Sequence, residues 1–185
     1  MFARFKGIDT RGPGVLEWQG MKNPFLFTVL AAAAGVAGFA AAQDTTDLPP
    51  DIQRIIRTAK EGEAMSQYNL GFLYSQGKQL EQSDSKAVYW WRKAANQGHA
   101  MAQNNLGIMY LQGKGGLERS EEEAAKLFRQ AAEQGYMEAQ HNLAVLLVKG
   151  QGVEKNQKEA VEWFRKAAAQ GHAGAKDALR QLGEQ

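Results

Sequence analysis

Three near-copies of one stretch dominate the chain: "SQYNLGFLYSQGK" around Asn69, "AQNNLGIMYLQGKG" around Asn105 and "AQHNLAVLLVKGQG" around Asn142. The asparagines are 36 and 37 residues apart. A period of that size means supersecondary units that each leave an apolar face uncovered and bury it only by stacking on the next copy. Every other feature of the sequence has to fit that constraint.

Glycines fix the register. Gly62, Gly98, Gly135 and Gly171 are followed four residues later by Ser66, Ala102, Ala139 and Ala175, and eight residues later by Leu70, Leu106, Leu143 and Leu179. Gly71, Gly107 and Ala144 come next, then Tyr74, Tyr110 and Leu147. These small and large positions share one face of a helix. The small residue lets a second helix approach closely, while the Leu and Tyr fill the space beside it.

Gly77, Gly113 and Gly150 suit the residue just past each first helix, where a left-handed backbone is needed. Leu80, Leu117 and Val153 plug the short loops that follow. Ser83, Ser120 and Asn156 are N-cap residues; Glu123 and Glu159, three positions on, predict capping boxes, and Lys86 in the first copy predicts a weaker cap. The second helices, "AVYWWRKAANQG", "AAKLFRQAAEQG" and "AVEWFRKAAAQG", place Trp90-Trp91, Leu127-Phe128 and Trp163-Phe164 on an apolar stripe with Arg and Lys opposite. Aromatics that recur at one repeat position read as core rather than as a cofactor box.

This composite of small residue, Leu-Gly, Tyr, loop glycines and aromatic second helix resembles the Sel1-like repeat, a relative of the tetratricopeptide repeat, over residues 64–172. The resemblance implies an all-α, right-handed solenoid of stacked helix-turn-helix units, the first helices lining a concave face, and a role as an adaptor for protein partners. The cysteine-rich branch of the family does not match, because the chain has no cysteine. The units are residues 64–99, 100–136 and 137–172. Residues 51–63 read as an incomplete opening helix, with Ile55 and Ile56 in the register of Trp91 and Arg92. Residues 173–185 read as a capping helix whose outer face is polar.

Upstream, residues 24–42 form an uncharged apolar run after Lys22, ending in Ala40-Ala41-Ala42. That is the pattern of a secretory signal over residues 21–42, with Gln43 the first mature residue and residues 43–50 a linker. Export to a periplasm follows; the alternative is an uncleaved anchor through residues 24–42, just long enough to span a bilayer. Residues 1–20 suit an n-region poorly, so either Met1 or Met21 is the start. Four of the 22 basic and two of the 20 acidic side chains precede residue 43, which leaves the remainder formally neutral. The chain's basic excess is therefore no sign of nucleic acid binding.

No catalytic, cofactor or metal motif emerges. His99 and His172 share one turn position, His141 has no ligand at helical spacing, and the acidic "EEEAAK" suits a solvated helix start. The candidate surface is the first-helix face flanking the packing leucines. It comprises Tyr68, Asn104 and His141; Asn69, Asn105 and Asn142; Phe72, Ile108 and Val145; and Leu111 one turn further on. Amides beside an apolar strip suit an extended peptide or a partner helix. Three alternatives stay open at this point. The asparagines could tie helices together, the face could serve an enzyme or small-ligand protein, or the module could be one piece of a larger assembly.

Overall fold

A computed structural model of the chain describes residues 47–184. Among them eight α-helices follow one another with no strand between: α1 (Pro50–Glu61), α2 (Ala64–Gln76), α3 (Asp84–Asn96), α4 (Ala100–Gln112), α5 (Glu121–Glu133), α6 (Met137–Lys149), α7 (Gln157–Ala169) and α8 (Ala173–Gln181). The pairs α2–α3, α4–α5 and α6–α7 are the helix-turn-helix units, and each packs onto the next. The fold is the right-handed, tetratricopeptide-like α-solenoid. The upstream extension, the secretory or anchoring segment and most of the linker lie outside the described residues.

Gly77, Gly113 and Gly150 close the first helices at φ of 66°, 62° and 69°. At the second helices, Ser83 Oγ accepts from the Lys86 amide at 3.3 Å, Ser120 Oγ from Glu123 at 3.2 Å and Asn156 Oδ1 from Glu159 at 3.1 Å. The reciprocal half of the capping box is not made. Each N-cap amide instead donates to a carbonyl near the end of its own first helix, Tyr74, Tyr110 or Leu147, at 3.0 Å. Because that bond already holds the helix pair, Glu123 and Glu159 turn elsewhere, and Lys86 gives no reason for a weaker first cap. Glu123 accepts from Lys126 at 2.9 Å. Glu159 accepts from Arg129 of the preceding repeat at 2.6 Å and from Trp163 Nε1 at 3.1 Å.

The core sits between the paired helices. A methyl group at Gly71 would lie 2.6 Å from Trp91 Cδ1, and one at Gly107 would lie 2.7 Å from Phe128 Cε1. The third unit carries Ala144 in the same core cluster as Phe164, so this pair leaves room for the methyl. The opening helix α1 buries Ile52, Ile56 and Ala59, while Ile55 is only half-buried. Alignment with Trp91 had pointed to Ile55. α1 buries the face that meets α2. At the other end α8 buries Ala175 and leaves Lys176, Asp177 and Arg180 exposed, and Glu184 pairs with Arg165.

A polar lattice runs through this core. Gln67, Gln103 and Gln140 are 4–5% exposed. Their side-chain amides donate to the carbonyls of Ala59, Ala95 and Ala132 in the preceding helix, at 3.2, 3.4 and 3.2 Å. Their side-chain oxygens accept from Gln97, Gln134 and Gln170, which end the second helices of the same repeats, at 2.8, 2.8 and 2.9 Å.

Two substitutions test the packing. Phe128 is fully buried and cannot retreat, so Gly107→Ala should lower stability by about 1–3 kcal/mol in urea denaturation. Trp91 Nε1 is enclosed without an acceptor, and the other repeats hold phenylalanine at that place. Trp91→Phe should therefore stay within about 1 kcal/mol of the parent, because losing an unsatisfied donor offsets the lost ring contact.

Candidate binding face on the first helices

The positions singled out lie along α2, α4 and α6, where Tyr68 packs against the core cluster formed by α3 and α4 and the His141 ring lies 5.6 Å from that of Phe164 on α7. Phe72 is 45% exposed and Met65, two turns earlier on the same side, 47%. Tyr68, Asn69, Asn105, Ile108, Leu111, His141, Asn142 and Val145 are all half-buried. Asn104 is the exception at 4%. Its Oδ1 accepts from Asn142 Nδ2 of the next repeat at 2.9 Å, and its own amide donates to Asn105 Oδ1 at 3.4 Å. The Asn105 side chain also lies beside the Tyr68 hydroxyl. The asparagines thus divide. Asn104 and Asn142 join neighbouring first helices, while Asn105 links that join to the aromatic end of the face.

The rim at the start of these helices is aromatic, which the repeat pattern alone did not bring out. His99 caps α4, its Nδ1 accepting from the Ala102 amide at 3.3 Å, and its ring stacks on Tyr68 at 4.8 Å. His172 caps α8 in the same way, through the Ala175 amide at 3.1 Å, and stacks on His141 at 4.4 Å. Tyr136 holds the matching place before α6 without a side-chain cap. Burial, with the Glu138 carboxylate beside it, pushes its hydroxyl up to about 12. Met65, Met101 and Glu138 share one register, a helical turn before Tyr68, Asn104 and His141, and so extend the face. That i−3 relation was the available signal. Among the described residues no group of three His, Cys, Asp or Glu side chains is placed to hold a metal ion.

Chemically, the face offers amides, stacked rings and aliphatic side chains in an open arrangement. Two surface depressions of the described residues lie elsewhere, one along Gln53, Arg57 and Lys60 of α1 and one around Val153, Asn156 and Glu159.

Two expectations follow. Asn104→Ala strands the Asn142 amide and should lower stability by about 1–3 kcal/mol, while Asn69→Ala should leave thermal melting nearly unchanged. Burial holds His99 and His141 below the ordinary imidazole range, and the neighbouring His172 adds to the effect on His141. The folded chain therefore binds fewer protons than the unfolded one near that range. Stability from these groups is complete above about pH 6.5 and declines as the pH falls below it. Melts between pH 7.5 and 5.0 should show that decline, and His141→Asn, which installs the residue of the second repeat, should flatten it.

Comparison with known proteins agrees with this architecture. The Sel1 repeat model matches residues 64–99, 100–136 and 138–172. A Sel1 repeat protein from Oxalobacter formigenes is 37% identical, with a TM-score of 0.66 over 71% of this chain and 98% of its own. A protective antigen present in uropathogenic Escherichia coli strains, displaying an SLR fold, is 34% identical with a TM-score of 0.65; the match covers 69% of this chain but 27% of that larger one. Cysteine-rich protein B of Helicobacter pylori shares the fold at 22% identity and a TM-score of 0.57, over 70% of this chain and 95% of its own. Curated proteins give no match. With three matched repeats spanning more than half of its residues, the chain belongs to the Sel1 repeat family, whose helical solenoids serve in general as protein-interaction scaffolds.

Proposed function

We propose that this protein is an exported, non-catalytic adaptor that holds a segment of a partner protein against the concave face of α2, α4 and α6. One observation carries the reading: the first helices present a nearly uncharged face to the outside. Of their 39 residues only Glu138 and Lys149 are charged, whereas α3, α5 and α7 place Lys, Arg and Glu outward. A face kept open yet stripped of charge, with Phe72 projecting from it, has the composition of a recognition surface rather than of a solvated helix. The apolar run at residues 24–42, with its small-residue end, supports export to a periplasm. No helix of the described residues is long and apolar enough to cross a membrane.

Affinity capture from an envelope extract tests the reading. Residues 43–185 serve as bait beside the variants Phe72→Ala and Phe72→Ala/Ile108→Ala, with circular dichroism melts to establish folding. A protein retained by the parent and lost stepwise by the folded variants supports the face as the binding surface. Equal capture by all three would move the interface to the second helices or to the ends of the array.

A further inference from the structure

The two outer helices of the described array carry the two halves of one repeat. In register with the glycines that precede each unit, α1 matches the second helices and α8 the first helices. Within each intact unit the two helix types meet through recurring contacts. The glutamine on the first helix accepts from the glutamine that ends the second, at 2.8, 2.8 and 2.9 Å. The small residue on the first helix lies against the second helix: a methyl group at Gly71 would meet the Trp91 ring and, at 3.1 Å, the Ala87 carbonyl oxygen.

On α1 and α8 the residues at these places are charged, and with opposite signs. Lys176 on α8 stands where Gln67, Gln103 and Gln140 do, and Glu61 on α1 where Gln97, Gln134 and Gln170 do. Arg180 stands where Gly71, Gly107 and Ala144 do, and Asp51 where Ala87, Ala124 and Ala160 do. All four are exposed. Among the described residues Lys176, Glu61 and Asp51 have no ion pair, and Arg180 meets only Asp177 on its own helix. Arg57 and Lys60 hold the outward register of Lys93 and Asn96, away from these positions. The apolar places between the charges are open as well. Leu179 is half-buried where Leu70, Leu106 and Leu143 are buried, and Ile55 is half-buried where Trp91, Phe128 and Phe164 are buried.

Staying solvated needs only charge, of either sign. Two basic residues on one face and two acidic ones at their counterparts on the other make complementary surfaces instead. We infer that each face takes a second copy of this chain. In this arrangement α8 of one molecule receives α1 of the next as the second helix of a composite unit. Lys176 meets Glu61, Arg180 reaches Asp51 and Leu179 packs on Ile55. Ile55 is smaller than the ring it replaces, which leaves room for the apolar stem of Arg180. Because the two faces differ, the contact is heterologous and repeats from copy to copy. A row of copies built this way continues the first-helix face from one molecule into the next.

Sedimentation velocity tests the inference on residues 43–185, which hold the eight described helices, over about a hundredfold range of concentration. The sedimentation coefficient of the parent should rise with concentration and fall back in high salt, which screens the charge pairs. Lys176→Glu and Glu61→Lys each set like charges against one another, and each variant alone should associate about tenfold more weakly. An equimolar mixture of the two should regain the association of the parent, since the reversed place on one then faces the reversed place on the other. Both substitutions fall on exposed positions, and circular dichroism melts establish that each variant is folded. A parent that stays monomeric over the whole range would overturn the inference. So would association that neither reversal weakens, or that the mixture fails to restore, because a different surface would then carry it.

Discussion

Everything in this solenoid depends on a buried side-chain amide that serves three chain segments at once. Gln67, Gln103 and Gln140 each sit on a first helix, donate to the preceding helix and accept from the glutamine that ends their own second helix. An amide removed from water is tolerated only where its donor and acceptor are both used, so the three segments must meet in one register. Apolar packing alone would not impose this, because alanine-rich surfaces slide past one another at little cost. The pattern changes at both ends of the described residues. Lys176 occupies the equivalent place in α8 and is exposed. Glu61 stands where Gln97 does one repeat later.

A second join works through the loops. A methyl group at Gly152 would fall 2.1 Å from the Glu121 carbonyl carbon, and one at Gly115 2.7 Å from the Asp84 carbonyl oxygen, so each loop lies directly on the second helix of the repeat before it. The first repeat has Gln79 at that place. The glutamines inside and the loops at the rim carry joins between repeats, and on the first helices Tyr68, Ile108, Leu111 and Val145 also pack against the core while Phe72 and Met65 stay exposed.

How far the sequence could be read follows from the range of the interactions involved. Period, helix ends, N-caps and the small residues facing Trp91 and Phe128 are local or strictly repeated, and they were legible as spacing. The glutamine lattice was not. Glutamine on a helix ordinarily reads as a solvated residue, and its burial appears only when the carbonyl of the previous helix is placed against it. Glu123 and Glu159 misled for a related reason: their capping role was already filled by a carbonyl brought in from the first helix. Asn104 and Asn105 are neighbours in sequence and of identical chemistry, yet one is buried and the other is not. A turn of 100° about the helix separates them, and only the position of the next repeat decides which side is covered.

A face built from identical repeats has an inherent weakness as a recognition surface. A bound segment shifted by one repeat would meet the same groups again, so regularity gives affinity without register. Departures from the repeat supply the difference. Phe72, Ile108 and Val145 grade the apolar row from large to small, Tyr68, Asn104 and His141 differ outright, and Glu138 introduces charge at a single point among methionines. On the proposed function, the residues that break the pattern are therefore the ones that would set specificity, while those that keep the pattern hold up the stack that presents them.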